Sequence, residues 1–299
     1  MWKKLFFVAS ALLVISLVIN SDLWSKLEAV KTRPYATSPD TSGTPDTKSK
    51  QDIENPTDSP EIAALKSKLT LTEEEKRQIL AQFSTMRKEI NRRLGMGNDA
   101  MTFITPDSPA VAKLVKETAG EFAQESREYW LDVDAMFRWI TQNITYAPDT
   151  YTPLIPESPS ESITWSPEFW RTPEETLKDK VGDCEDLSVL LASMILNYNK
   201  AQYSVWVITM GNKNEGHMAV CLPVSGEMLT IMDPTAFYIT GPNTIVLSSR
   251  DVTTAVNDWL KHWEKKIPGA QIKSVFNNKF RQDFASTKEF ISWAKKQIE

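Results

Sequence analysis

Apolar and polar positions follow two rhythms along this chain. From about Glu61 to Asn197 the apolar residues recur three and four positions apart, which lays one apolar stripe along a helix. "EEEKRQILAQFSTMRKEINRRLG" is the first such stretch; Thr72 and Glu75 form a capping box at its start, and Gly95 stops it. "DSPAVAKLVKETAG" predicts a second helix, from Ser108-Pro109 to just before Gly120. "DVDAMFRWITQNI" predicts a third, with Val133, Met136, Phe137 and Ile140 on one face. "TPEETL" opens a short helix, with Thr172 as cap and Pro173 at its first position. After Gly182 a longer helix runs from about Asp183 to Asn197. Then the period shortens to two. "YSVWVITM", "HMAVCLPV" and "EMLTIMDP", separated by "GNKNEG" and "VSGE", predict an antiparallel meander. "DVTTAVNDWLKHWEKKI" is a helix, "AQIKSVFN" a strand and "STKEFISWAKKQ" a final helix. Helices, then strands, then helices again define an α+β fold.

Two stretches fit neither rhythm. "TYTPLIPESPSESITWSPEFW" carries Pro153, Pro156, Pro159 and Pro167, which argue against regular structure. Loops of this length are functional or disordered. The N-terminal region is the other. "MWKK" precedes an apolar run from Leu5 to Ile19, about 22 Å of helix against a hydrocarbon core of about 30 Å. With Trp2 and Trp24 at its ends, residues 1–24 read as an uncleaved membrane anchor, with a cleaved signal segment as the alternative. Residues 25–60, rich in Ser, Thr, Pro and Asp, read as a disordered linker. Residues 61–125 then form a helical extension packed on a core, and 126–299 the main domain.

Composition narrows the function. A formal charge of −5 and a pI near 5.4 argue against nucleic acid as partner. Two cysteines are too few for a disulfide framework and fit no zinc spacing. One of them, Cys184, stands in "KVGDCEDLSVLLASM", in the first turn of the helix that follows Gly182. Unpaired backbone N–H groups at a helix start favour a thiolate. The same groups can hold the oxyanion of a tetrahedral intermediate. A cysteine nucleophile gains from a base, and the base from an orienting group. His217 opens the second strand of the meander and Asp233 closes the third, so the sheet can bring their side chains together. Cys221 shares a strand face with His217 and reads as core; His262, on an amphipathic helix, reads as surface or packing.

"TPEETLKDKVGDCEDLSVLLASM", "GHMAV" and "MDPT", in that order, resemble the transglutaminase-like superfamily of papain-fold cysteine enzymes. The resemblance spans about residues 130–240. It implies a papain-like core in which a nucleophile helix packs on an antiparallel sheet. It also implies a triad of Cys184, His217 and Asp233 acting through a thioester. Family members add an oxyanion donor from upstream of the cysteine; Trp165, Trp170 and Tyr146 are the candidates. Some relatives with a similar "DCED" bind calcium beside the nucleophile. Asp183, Glu185 and Asp186 are therefore candidate calcium ligands, and helix capping is their other reading. No cofactor is otherwise required.

The expectation is a membrane-tethered, extracytoplasmic thiol hydrolase, a peptidase or amidase acting on a protein or peptide substrate. Transfer to an amine would make the same triad a cross-linking transglutaminase. The reading from another class is a non-catalytic cell-surface binding module.

Overall fold

The structure is a computed structural model that describes residues 60–241 and 248–298. The apolar run 5–19 and the linker lie outside the described residues. Among the described residues no helix is long and apolar enough to cross a membrane. Two compact units divide at Arg87/Lys88.

The first described element is helix α1, Pro60–Arg92. It begins a full three turns before the expected capping box. Residues 61–71 are mostly strong helix formers, so the helix propagates through Thr72. The Thr72 hydroxyl bonds back to the Lys68 carbonyl as an interior residue does. Gly95, with φ +58°, turns the chain after the helix, in the left-handed region that glycine tolerates.

The unit from Lys88 to Glu299 is built around a seven-stranded sheet, with two two-stranded sheets besides. A 3₁₀ turn at Gly97–Phe103 leads to α2, Pro109–Thr118, and α3, Ser126–Asn143. Strand β1, Thr145–Tyr146, follows. The proline-rich stretch holds a small hairpin, against expectation: β2, Thr152–Leu154, pairs with β3, Thr164–Ser166. In a two-stranded ribbon a proline can turn its missing N–H outward, so Pro153 is tolerated. Helix α4, Pro173–Asp179, carries the full Thr172–Glu175 capping box. Strand β4, Val181–Gly182, pairs parallel with β1 and delivers the chain into α5, Cys184–Tyr198.

Strands β5, Trp206–Gly211, β6, Gly216–Val224, and β7, Met228–Asp233, form the expected meander. Short strands β8, Tyr238–Ile239, and β9, Arg250–Asp251, add to β7. Helix α6, Val252–Trp263, comes next. Strand β10, Gln271–Phe276, then returns to pair with β5, and β11, Arg281–Asp283, pairs with β10. Helix α7, Thr287–Ile298, ends the fold.

Alternation along the strands sends side chains to two separate cores. Val205, Val207, Val220, Leu222 and Met232 face one that also holds α2, α3 and the buried face of α5. Ile208, Ala219, Cys221 and Ile231 face the other, against α6 and α7. The sheet is thus covered on both faces. Thirteen of the fifteen residues of α5 are buried, which explains why its sequence is apolar nearly all round.

Candidate active site

Cys184 is the first residue of α5. The Leu187 N–H is the first to bond back, to the Asp183 carbonyl at 3.0 Å. The N–H groups of Cys184, Glu185 and Asp186 therefore have no helical partner. Gly182 makes the tight entry possible. A Cβ there would meet the Asp186 Cβ at 2.7 Å. The thiol is partly buried, and Sγ donates to Glu185 Oε2 at 3.2 Å. Burial, then the carboxylates of Glu185 and Asp183, push the thiol well above its ordinary pKa.

The sheet supplies an imidazole with its orienter. β6 and β7 pair Val220 with Met232, and one further step sets Asp233 beside Ala219. His217 is two residues on and shares that face. His217 Nε2 lies 2.7 Å from Asp233 Oδ2. The same oxygen accepts from Trp259 Nε1 at 3.0 Å and Trp263 Nε1 at 2.9 Å. Asp233 Oδ1 accepts from the Ala236 N–H at 3.1 Å, across the turn that Pro234 helps to form. Burial pushes this carboxyl up, but His217 and the two indoles outweigh it and hold its pKa below the usual range. Trp263 also stacks on the imidazole, ring centres 3.8 Å apart. Bonding through Nε2 leaves Nδ1 as the nitrogen available to a thiol. Cys184 and His217 line one open cavity of about 510 Å³.

The three aromatic candidates part company. Tyr146 pairs with Gly182 across β1 and β4, and the charges of Cys184 and Asp183, after burial, raise its phenol. Its ring is 55% exposed beside the site. Trp170 lines the cavity and is buried against Phe103 and Phe276, as a wall. Trp165 is 63% exposed on β3 and does not line the cavity. Cys221 is fully buried between Trp206 and Ile231, and both cysteines are free. His262 is exposed and touches Tyr238 and Trp263.

The acidic residues do not behave as helix caps. Asp183 occupies the N-cap position, yet its side chain makes no capping bond. Its Oδ1 is buried without a partner, as is Glu185 Oε1. These carboxylates turn instead towards Asp149 and Glu168, two residues that sequence reasoning missed. Oxygens of Asp149, Glu168 and Glu185 lie within 4.8 Å of one another, and so do those of Asp149, Asp183 and Asp186. Arg171 Nη1 reaches Asp186 at 2.8 Å and Asp149 at 3.1 Å, one cation among five acids. Burial raises Asp183 to about 6, and both Glu168 and Asp186 to about 7. Orphaned buried oxygens in an all-oxygen cluster fit a hard cation such as Ca²⁺.

Comparison with known proteins found a family-model match and similar solved structures. Residues 115–249 match the family model of the transglutaminase-like domain, a range that includes Cys184, His217 and Asp233. Over that range the chain is similar to the transglutaminase-like domain. Among solved structures, Legionella pneumophila LapG aligns at 13% identity over 66% of this chain and 98% of its own, with a TM-score of 0.31. The EGTA-treated form of LapG gives 13%, 66%, 98% and 0.33 in the same order. The calcium-bound form gives 13%, 63%, 99% and 0.31. No curated protein matches the chain.

Proposed function

We propose that the chain is a thiol hydrolase, a peptidase or amidase, in which Cys184 is the nucleophile, His217 the acid-base and Asp233 the orienter. One observation carries this reading. An imidazole clamped by a buried carboxylate, itself held by two indoles, shares a cavity with a thiol at a helix start.

His217 Nδ1 takes the thiol proton as Sγ forms its bond to the substrate carbonyl carbon. The carbonyl oxygen becomes an oxyanion facing the free N–H groups at the start of α5, which stabilise it without reorganising. As the tetrahedral centre collapses, the C–N bond breaks and the amine leaves with the proton from the imidazolium. The thioester remains. His217 then takes a proton from water, whose oxygen attacks the thioester carbon. The C–S bond breaks, Sγ recovers the proton, and a carboxylic acid departs. Asp233 stays ionised throughout and fixes the ring.

Asp149, Glu168, Asp183, Glu185 and Asp186 would hold a calcium ion, which when bound would supply positive charge that offsets their repulsion. The ion pairs of Arg171 fix the loop that brings Asp149 and Glu168 to the cluster. The apolar run 5–19 and the linker support a tethered enzyme that works outside the cytoplasm on a protein or peptide.

The test is alkylation of the full chain with iodoacetamide across pH, with and without calcium, beside hydrolysis of a mixed peptide library. Buried Cys221 contributes little, so labelling follows Cys184. Expected is fast labelling that slows at least tenfold in His217→Ala, and hydrolysis lost in Cys184→Ala. A thiol that labels identically in wild type and His217→Ala sinks the proposal.

A further inference from the structure

The cavity that holds Cys184 is polarised in a way that the thiol chemistry does not use. Its charged lining residues are Glu168, Glu185, Glu215, Lys213, Lys273 and Arg281. Glu168 and Glu185 belong to the acidic cluster at the start of α5. Lys213 and Glu215 share the turn between β5 and β6 and offset each other. Lys273 and Arg281 stand together on the far strands, β10 and β11.

A β-bulge sets Lys273 there. Ile272 pairs with Met210 and Ser274 with Thr209, so Lys273 is an extra residue with no partner on β5. Ile272 and Val275 both face the core under α6 and α7, whereas Phe276 faces the core under α5. The bulge therefore lets Lys273 and Ser274 both point to the face that carries Cys184, and both line the cavity. Re-aiming a side chain beside a site is a recurrent use of such bulges. Lys273 is exposed and makes no ion pair among the described residues. Arg281 pairs with Phe276 on the same face and lies only 19% exposed. Its Nε is buried with no hydrogen-bond partner. Its Nη2 holds Asp283 at 2.8 Å, a carboxylate that is 70% exposed and weakly bound for that reason.

Below these two cations the floor is hydroxyl. Thr209 Oγ1 and Ser274 Oγ lie 2.8 Å apart across β5 and β10. Strand β5 lies between β10 and β6, and Lys273, Cys184 and His217 all line the same cavity.

We propose that Lys273 and Arg281 form a subsite for a carboxylate side chain, so the substrate is a peptide segment with an Asp or Glu near the amide that Cys184 attacks. This rests on the hydrolase reading for the place of the amide alone. The bulge aims Lys273 at the cavity, Lys273 supplies the accessible charge, and Arg281 offers the second donor once Asp283 is displaced.

The experiment separates the subsite from the chemistry. The full chain carrying Cys184→Ala is titrated by fluorescence anisotropy with labelled octapeptides of Ala, Gly and Ser that contain one Asp, or one Lys, at each position in turn. Expected is at least tenfold tighter binding of the best Asp peptide than of its Lys counterpart, narrowing as salt rises. Lys273→Met removes that preference and Lys273→Glu inverts it; Lys273 is exposed, so neither change endangers the fold. Arg281→Met is the second arm. Equal binding of the two series, or a preference that survives Lys273→Glu, overturns the proposal. Iodoacetamide labelling of wild type gives the fate of the thiol independently. A reactive Cys184 with no Asp preference leaves the chemistry and removes the subsite. An inert Cys184 with the preference intact does the reverse.

Discussion

Asp233→Asn replaces one oxygen by an NH₂ group of nearly the same shape, and neither orientation of the amide suits the site. With NH₂ at the Oδ2 position, a donor faces the indoles of Trp259 and Trp263. With NH₂ at the Oδ1 position it faces the Ala236 N–H instead. The second orientation keeps more bonds and is the one expected. It leaves one buried N–H unpaired, at about 1–3 kcal/mol, and turns two charge-assisted indole bonds into neutral ones. A loss of about 2–4 kcal/mol follows, which in a unit of this size lowers Tm by roughly 5–15 °C.

Function falls by a separate route. The imidazolium formed after proton transfer loses its counter-charge, worth up to about 4 kcal/mol for unit charges roughly 4 Å apart at an effective dielectric of about 20. A realised 2–4 kcal/mol slows alkylation and hydrolysis roughly 30- to 1,000-fold. The pH dependence has a definite sign. The folded pKa of Asp233 lies below its unfolded value, so its stabilisation is complete above about pH 4 and is lost as pH falls through the folded pKa. The Tm gap between wild type and Asp233→Asn is therefore wide at pH 7 and closes below about pH 4. Calorimetry at both pH values and iodoacetamide kinetics read the two effects. A variant whose Tm gap is unchanged at pH 3, or whose labelling profile overlays wild type, refutes the assigned role of the carboxylate.

Gly95→Ala should destabilise by more than about 2 kcal/mol, because its Cβ would sit 2.1 Å from Trp170 Cε2 on a backbone with φ +58°; urea melts read it. Arg171→Met strands Asp186 and Asp149 and should cost about 3–5 kcal/mol without calcium and less with it, measured as Tm in EGTA and in millimolar calcium. Calcium at 100-fold over its Kd should stabilise the folded chain by about 2.7 kcal/mol, and Asp149→Asn with Glu168→Gln should abolish that gain, read by calorimetry.

The meander and the α5 helix were legible because their signals are local. Gly182, the apolar run after Cys184 and the period-two strands each declare themselves within ten residues or so, and the structure places their ends within two or three residues of expectation. The start of α1 was misjudged because a capping box marks where a helix can begin and cannot veto propagation from upstream. β11 went unseen because "RQD" has no apolar alternation. Only its register against Ser274–Phe276 makes it a strand. The pairing of β10 with β5 is a contact across some sixty positions, which periodicity does not encode.

The acidic cluster shows why the rest of the site was hidden. Asp183, Glu185 and Asp186 stand together in "DCED" and invited a local account, capping. Their physical problem is three carboxylates at one buried helix start, and it has no local solution. The residues that complete the cluster, Asp149 and Glu168, bracket the prolines of that segment, and Arg171 at its far end bonds both Asp149 and Asp186. Asp149 also accepts the Phe169 N–H, so that segment returns to its starting point. Its prolines lower the entropy lost in closing the loop, and its charges gather where the thiol sits. The stretch whose prolines argued against regular structure thus gives Glu168 and Trp170 to the lining of the cavity. Nothing within it predicts this, because the signal is the match between Asp149 and Glu168 and three other acids some fifteen to thirty-five positions further on.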